Sequence, residues 1–297
     1  MSLRRPLATA LLLGATACSS APGVHHIPLP GRPSAVAVDA GIVWVADDGA
    51  HVVRAIDESS GKPVGRPIEV SRNPIAIAAS RDAVWVAHAD GSVVHIDAHT
   101  REASEPIRVG GSLTGIALSG RYVWIADHLT SSVVQLDGRR RRIVRVYRIR
   151  QGAVRVAVGE GLWVTNNEST VSRIDPHAGK IEKPIEIGVG PIGLEFDGRH
   201  VWVANSDDGT VSRIDARSGR VTKTVRVGRG PIGVAVLKGV WVVNQDDRTL
   251  GRVGGDEVID LRFAPRGVAS GARSIWVVGT NPSELIRIDP GQRRPVV

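Results

Sequence analysis

The sequence of 297 residues contains one cysteine, one methionine, two tyrosines and two phenylalanines. A single cysteine excludes a disulfide framework and any cysteine-based zinc or iron–sulfur site built within this chain. No apolar stretch approaches the roughly 20 residues that a helix needs to span a bilayer. Glycine and proline, by contrast, number 34 and 17. Because both residues interrupt helices, this composition argues against a helical bundle.

Lysine is also scarce: it accounts for five of the 38 basic residues in a chain with a formal net charge of +8. Such heavy arginine usage is common in high-GC genomes, so the charge alone is a weak sign of nucleic-acid binding. Proteins that bind single strands also need aromatic side chains on which bases stack. Apart from tryptophan, this chain has four aromatic residues, and we therefore expect no nucleic-acid partner.

Residues 1–17 have the pattern of a secretory signal. Two arginines precede an apolar run over residues 7–17, which ends in small residues typical of a cleavage site. Cys18 follows directly, where a bacterial lipoprotein carries its lipidated cysteine, and residues 18–24 form a flexible tether. We expect an exported, membrane-anchored lipoprotein on the periplasmic or outer cell surface. The alternative is ordinary cleavage before Cys18, which yields a soluble exported protein with a free thiol.

Tryptophan is the one abundant aromatic residue, and it recurs at a regular interval. The seven tryptophans are Trp44, Trp85, Trp124, Trp163, Trp202, Trp241 and Trp276. Their spacings are 41, 39, 39, 39, 39 and 35 residues, and a fixed period of roughly 20–50 residues indicates a repeat architecture. Residues 25–297 divide into seven units of 39 residues, which leaves no room for a second domain.

Each unit consists of four short β-branched runs separated by Gly, Asp, Asn or Pro, the pattern of a four-stranded antiparallel meander. We therefore predict an all-β chain with a single seven-bladed β-propeller over residues 25–297. The last unit lacks its outer strand, and residues 25–29 match the missing segment, so the N-terminal strand is expected to close the ring. We expect the tryptophans to fill the space between blades rather than to bind a cofactor or sugar, and the protein to be a monomer.

The recurring sequences resemble YVTN/NHL-type propeller repeats, including the branch that contains virginiamycin B lyase. The motifs are the segments 231–236 (PIGVAV), 201–205 (VWVAN), 211–215 (VSRID) and 219–221 (GRV) with their copies in other units. The resemblance covers residues 27–297. It is specific for architecture, and propellers of this kind host many functions.

The resemblance implies that the lyases use one end of the propeller, with His directly after the repeat proline in neighbouring blades and a Glu nearby. The corresponding residues here are Ser34, Ile75, Thr114, Val154, Ile192, Ile232 and Arg266. None is histidine, so the general acid–base pair is missing from its family position. We therefore assign no catalytic residue and no cofactor.

A second series of polar residues stands three positions after each tryptophan except the last, where Gly279 occupies the position. It consists of Asp47, His88, Asp127, Asn166, Asn205 and Asn244. Short polar side chains of this kind bond back to the following turn, and contact with a ligand is the alternative. His128 follows Asp127, but spacing across blades defines no metal geometry, and we assign no metal site.

Two residues depart from the repeat on the predicted inner strands. Arg155 stands where other units have Gly or Ala. In the next unit the equivalent residue is Gly193, and Glu195 follows it by two positions, where other units have Ala. A structural ion pair between them is one interpretation. The other is that Arg155, together with Arg266, offers guanidinium donors to an anionic ligand at the mouth of the central channel, with Glu195 beside them.

Arg139, Arg140, Arg141 and Arg142 form a basic run in a predicted hairpin. A solvated turn is one interpretation, and contact with anionic lipid headgroups, which would reinforce a lipid anchor, is the other.

Three functional hypotheses follow from the sequence. The favoured one is a non-catalytic module that binds a small anionic ligand or an envelope protein. The alternatives are a streptogramin lyase or related hydrolase, and a sensor or accessory subunit of a membrane complex.

Overall fold

The computed structural model describes residues 23–290, all of them in strands, turns or irregular loops. This part of the chain includes no helix long and apolar enough to cross a membrane. The predicted signal segment 1–17 and the predicted lipidation site Cys18 lie outside the described residues.

The described residues form 29 strands in seven sheets. In chain order these are β1 (Val24–Pro28), β2 (Pro33–Asp39), β3 (Ile42–Asp47), β4 (Val52–Asp57), β5 (Ile68–Glu69), β6 (Pro74–Ala79), β7 (Ala83–His88), β8 (Ser92–Asp97), β9 (Ile107–Arg108), β10 (Leu113–Ser119), β11 (Tyr122–Asp127), β12 (Ser132–Asp137), β13 (Arg142–Arg148), β14 (Ala153–Gly159), β15 (Gly161–Asn166), β16 (Thr170–Asp175), β17 (Lys180–Ile181), β18 (Ile185–Glu186), β19 (Pro191–Phe196), β20 (His200–Asn205), β21 (Thr210–Asp215), β22 (Arg220–Arg226), β23 (Pro231–Val236), β24 (Val240–Asn244), β25 (Thr249–Arg252), β26 (Val258–Asp260), β27 (Ala264–Ser270), β28 (Ile275–Thr280) and β29 (Glu284–Ile288).

The sheets are the seven blades of a β-propeller, as predicted. Blades 1 to 6 are antiparallel meanders formed by β2–β5, β6–β9, β10–β13, β14–β18, β19–β22 and β23–β26. Blade 7 consists of β27, β28 and β29, with β1 as its outer strand. In blade 4 the outer strand is divided into β17 and β18, which both pair with β16.

Four strands per blade give the propeller two distinct ends. One end, which we call the entry end, carries the loops into each inner strand, such as residues 149–152, and the turns between second and third strands. The other, the hairpin end, carries the turns between first and second strands and between third and outer strands. At residues 40–41, the hairpin end has a two-residue turn whose residues both have positive φ, +50° and +78°. This is the turn geometry that matches the twist of a β-hairpin, and it explains the glycine at position 41.

The core lies between blades, and each tryptophan sits at one of its seven interfaces. All seven indoles are buried, with at most 9% of their surface exposed. Trp163 of blade 4, for example, packs with Leu194, Val201 and Ile214 of blade 5, and Trp276 of blade 7 packs against blade 1. The prediction that these rings fill the space between blades is confirmed.

The ring is closed by strand β1, as predicted. β1 pairs antiparallel with β29 from Val24 opposite Ile288 to Pro28 opposite Glu284. His26 Nδ1 lies 3.0 Å from Glu284 Oε2, which adds a side-chain contact to this ladder. The pairing covers the edge that the last blade would otherwise expose.

Removing β1 should therefore destabilise the whole ring. We expect a protein that begins at residue 31 to unfold at least about 10 °C below one that begins at residue 23, because it loses a complete edge ladder and the buried Val24. The measurement is thermal unfolding followed by circular dichroism. Equal melting temperatures for the two proteins would contradict closure by β1.

Candidate functional site

The central channel is the place where all seven blades meet. Its wall is formed by the inner strands β2, β6, β10, β14, β19, β23 and β27, and it encloses a cavity of about 190 Å³. Most of the lining is Ala, Gly, Ile, Val or Leu, and four of the lining residues are polar or charged. These are Ser34, Arg155, Glu195 and Arg266.

Small residues line the channel because the inner strands approach one another closely. A Cβ atom on Gly115 would lie 2.9 Å from the Cα of Arg155, and one on Gly193 would lie 2.5 Å from the carbonyl oxygen of Ile232. Both distances are shorter than real contacts allow, so glycine is required at these two positions. An arginine in the corresponding position of blade 4 is therefore a marked exception.

Arg155 contributes a guanidinium without a protein partner to the channel. Its backbone N–H donates to Thr165 Oγ1 at 3.0 Å, and that hydroxyl donates to the Ile192 carbonyl at 2.9 Å, which connects blade 4 to blade 5. The guanidinium itself takes part in no hydrogen bond or ion pair among residues 23–290. Burial lowers the pKa of Arg155, since water no longer solvates the charged form fully.

Glu195 lies in the same channel, on the neighbouring inner strand. Burial raises the pKa of its carboxyl to about 7. Within the described part of the chain, Glu195 and Arg155 line one cavity but form no ion pair at 4.0 Å or less. The two residues that depart from the repeat thus line the same channel, without the ion pair that the first interpretation required.

Arg266 reaches the channel from the entry end. It follows Pro265 at the start of β27, and its side chain is exposed. Blades 4 and 7 are three blades apart in a ring of seven, so Arg155 and Arg266 approach the channel from nearly opposite sides. Two arginine forks can therefore face one ligand at the mouth.

The polar series after each tryptophan lies elsewhere, at the turns between second and third strands. All six members, Asp47, His88, Asp127, Asn166, Asn205 and Asn244, are buried, with at most 3% of their surface exposed. Asp47 Oδ1 accepts hydrogen bonds from the backbone N–H groups of Gly49 at 3.0 Å and Ala50 at 2.9 Å. Asn205 Nδ2 donates to Thr210 and Ser212, both at 2.9 Å. These side chains hold the turns and do not line the channel.

The two histidines near this series have different surroundings. His88 Nδ1 lies 3.2 Å from the Arg72 carbonyl oxygen, and burial lowers the pKa of His88, which favours the neutral imidazole. His128 is half-buried in the next blade, beside Asp127. In the range 23–290 no three His, Cys, Asp or Glu side chains are grouped as metal ligands would be.

The basic run lies at the hairpin end of blade 3, between β12 and β13. Asp137 accepts hydrogen bonds from the backbone N–H groups of Arg139 at 3.1 Å and Arg140 at 3.0 Å. Arg141 reaches blade 2 and donates to Ser104 Oγ at 3.0 Å. The four side chains Arg139–Arg142 are exposed, as both interpretations of this run require.

The sequence pattern did not indicate a groove that lies beside the closing strand. It lies outside the channel, between β1 and blade 1, with a volume of about 290 Å³ and a largely apolar lining that includes Ile27, Leu29 and Ile56. Its only hint in the sequence is the cluster of prolines at positions 28, 30, 63 and 67. These prolines lie on two segments that become neighbours only when the ring closes.

The raised pKa of Glu195 predicts a pH-dependent gain in stability for Glu195→Gln. The ordinary value is 4.5, so the folded protein holds a proton between about pH 4.5 and 7 that the unfolded chain releases. The free energy of unfolding of the wild type therefore falls across this window as pH rises. The glutamine variant has no carboxyl at this position, so its free energy of unfolding does not fall for this reason. We expect the variant to be more stable by about 3 kcal/mol at pH 8 and equally stable at pH 4, measured by urea unfolding. The exposed Glu160→Gln serves as the control, and a difference that does not change with pH would contradict the assignment.

No protein-family model and no curated protein matches this sequence. Solved structures match its fold over most of its length. The structure of streptogramin B lyase has a TM-score of 0.79 and 17% identity, covering 90% of this chain and 97% of that one. Hydrazine synthase of Kuenenia stuttgartiensis has a TM-score of 0.78 and 15% identity, covering 90% of this chain and 98% of that one. The WD40 domain of Neurospora crassa Pan2 has a TM-score of 0.73 and 12% identity, covering 92% of this chain and 95% of that one.

At these identities the similarity concerns the fold. The three proteins differ in what their names describe, as expected for an architecture that hosts many functions. The resemblance to the propeller of the streptogramin-inactivating lyases, expected from the repeat motifs, is confirmed at the level of the fold. This chain has the seven-bladed β-propeller fold.

Proposed function

We propose that this chain is an exported, lipid-anchored propeller that acts as a non-catalytic binding module of the bacterial cell envelope. Its ligand carries an anionic group, which Arg155 and Arg266 hold at the channel mouth. The observation that carries this proposal is the guanidinium of Arg155, which lies in the channel without a partner among the described residues.

Arg155 is half-buried, so its unpaired charge is only partly solvated, which costs the folded protein free energy. A ligand that supplies the opposite charge removes much of that cost. Carboxylates and phosphates suit a guanidinium because its planar donors form two parallel hydrogen bonds with their oxygens. The exposed Arg266 adds a second positive charge at the entrance, which attracts anions to the channel.

Small anions should stabilise the protein through these two arginines. We expect acetate, succinate or inorganic phosphate at 10 mM to raise the melting temperature of the wild type, since a ligand that binds only the folded state stabilises it by mass action. The increase should disappear in the double variant Arg155→Ala/Arg266→Ala. Each protein is compared with its own ligand-free melting temperature.

The matched control is Arg150→Ala/Arg262→Ala, which removes two exposed arginines from the loops that lead into the same two blades, outside the channel lining. It should respond to the anions like the wild type. An equal response of both double variants, or no response of the wild type to any of the three probes, would refute the anion site.

The membrane part of the proposal is supported by the place at which the described chain enters the propeller. Gly23 accepts a hydrogen bond from the backbone N–H of Asp289 at 2.8 Å, so the chain enters β1 at the hairpin end. The arginines of the run 139–142 lie at this same end, and each basic residue near an anionic surface contributes about 1 kcal/mol. A tether from Cys18 would thus hold the hairpin end toward the membrane and leave the channel mouth with Arg266 facing away.

Two measurements check the anchoring. The intact mass of protein from the membrane fraction should include a diacylglycerol adduct on Cys18, and its absence would refute the lipid anchor.

Protein beginning at residue 23 should bind vesicles containing phosphatidylglycerol at low salt, and not vesicles of phosphatidylcholine. Arg139→Gln/Arg140→Gln/Arg142→Gln should weaken that binding several-fold, whereas Arg150→Gln/Arg226→Gln/Arg262→Gln should not. Binding that ignores lipid charge, or equal loss in both variants, would contradict a role for the run.

The second candidate function is a lyase or hydrolase, favoured by the similarity to the streptogramin B lyase structure. Against it, the channel lining in residues 23–290 contains no histidine. Opening of a streptogramin B depsipeptide ring by the wild type with Mg²⁺ would decide for this candidate. A third, a sensor or accessory subunit, would instead appear as a protein that co-purifies from detergent-solubilised envelope.

A further inference from the structure

We propose that Arg155 and Glu195 are the two halves of one site for a zwitterion, a free amino acid or a metabolite with the same pair of charges. Arg155 takes the carboxylate of this ligand, and Glu195 takes its ammonium group. The inference rests on the proposed use of the channel as a ligand site, and it names the class of molecule that the channel takes.

The relative position of the two residues leaves space for such a ligand. β14 and β19 are neighbouring inner strands that pack against each other. Arg155 pairs across its blade with Thr165, two residues after Trp163, whereas Glu195 pairs with Trp202, the equivalent tryptophan of blade 5. The two backbone positions are thus offset by two residues, or about 7 Å along the strands, and both side chains line the same cavity. A molecule whose carboxylate and ammonium groups lie a few carbon atoms apart can extend from one level of the channel to the other.

The charge balance of the channel favours a molecule that carries both signs. Arg155 of β14 and the residues Ile232, Gly233 and Val234 of β23 line the same cavity as Glu195, and Trp202 of β20 is its ladder partner in blade 5. The remaining charge of the lining is Arg266 at the mouth. An anion would pair with Arg155 and leave the Glu195 carboxylate unpaired, and a cation would do the reverse. A zwitterion pairs with both and brings no net charge into a poorly solvated cavity.

The size of the cavity limits the ligand. Its volume of about 190 Å³ lies below the ~300–1,000 Å³ of pockets that hold drug-sized molecules. A single amino acid is therefore a better match than a peptide. The carboxyl of Glu195, whose pKa burial raises to about 7, becomes fully charged only above neutral pH. Binding of the ammonium group should accordingly strengthen between pH 6 and pH 8.

The test measures, by isothermal titration at pH 8, the binding of a free amino acid, its N-acetyl derivative and its amide. L-alanine, L-serine and L-leucine are each measured beside the N-acetyl derivative, which lacks the ammonium group, and the amide, which lacks the carboxylate. We expect the best free amino acid to bind the wild type at least tenfold more tightly than either derivative, because each derivative loses one charge-assisted contact.

Two variants assign the halves of the site. Glu195→Gln should weaken binding of the free amino acid at least tenfold and leave binding of the N-acetyl derivative unchanged. Arg155→Gln should weaken binding of both compounds. Arg262→Gln, an exposed arginine outside the channel, is the control and should change neither. Thermal unfolding of each variant confirms that it is folded.

The outcomes separate this inference from the proposed function. If the N-acetyl derivative binds as tightly as the free amino acid and Glu195→Gln has no effect, the zwitterion is refuted while the anion site stands. If no amino acid binds the wild type at 10 mM, the zwitterion is also refuted. The anion site itself is then decided by the acetate, succinate and phosphate measurements above.

Discussion

The packing of each tryptophan against the next blade is the interaction on which the rest of this structure depends. A single blade is a sheet with two faces, and it cannot bury both of them within itself. The indole of blade 4, Trp163, buries its ring against blade 5, and the same contact repeats to Trp276, which packs on blade 1. The ring is therefore a closed cycle of seven similar interfaces, and its central channel exists because the cycle closes.

Most of this fold was readable from the sequence because the period of the tryptophans counts the blades and turn residues mark the strand ends. The sequence pattern did not predict that some outer strands are much shorter than others, but particular residues explain it. β5, β9 and β18 are two residues long, and each directly follows a proline, at positions 67, 106 and 184. Proline cannot donate to a ladder. The outer strands of blades 3 and 5, which lack proline, extend over seven residues.

The candidate site was predictable only in part. Arg155 and Glu195 stand out because they interrupt a repeat of small residues, and the alternation of strands places both near the channel. Their lack of a mutual ion pair could not be foreseen, since register gives the position of a backbone and not the separation of two long side chains. The polar series was ambiguous for a related reason. Asp47 and Asn205 could have faced a ligand, and only the structure shows the hydrogen bonds to their own turns.

Closure by β1 also determines the order in which this propeller can be completed. His26 and Glu284, which meet across the closing ladder, are separated by 258 positions in the chain. The strand that is synthesised first is therefore the last to find its partner, and contacts over such sequence distances slow folding. Until the final strands have been made, blade 7 has no outer strand and the channel has no complete wall. The channel can therefore enclose a ligand only after the last blade has been synthesised.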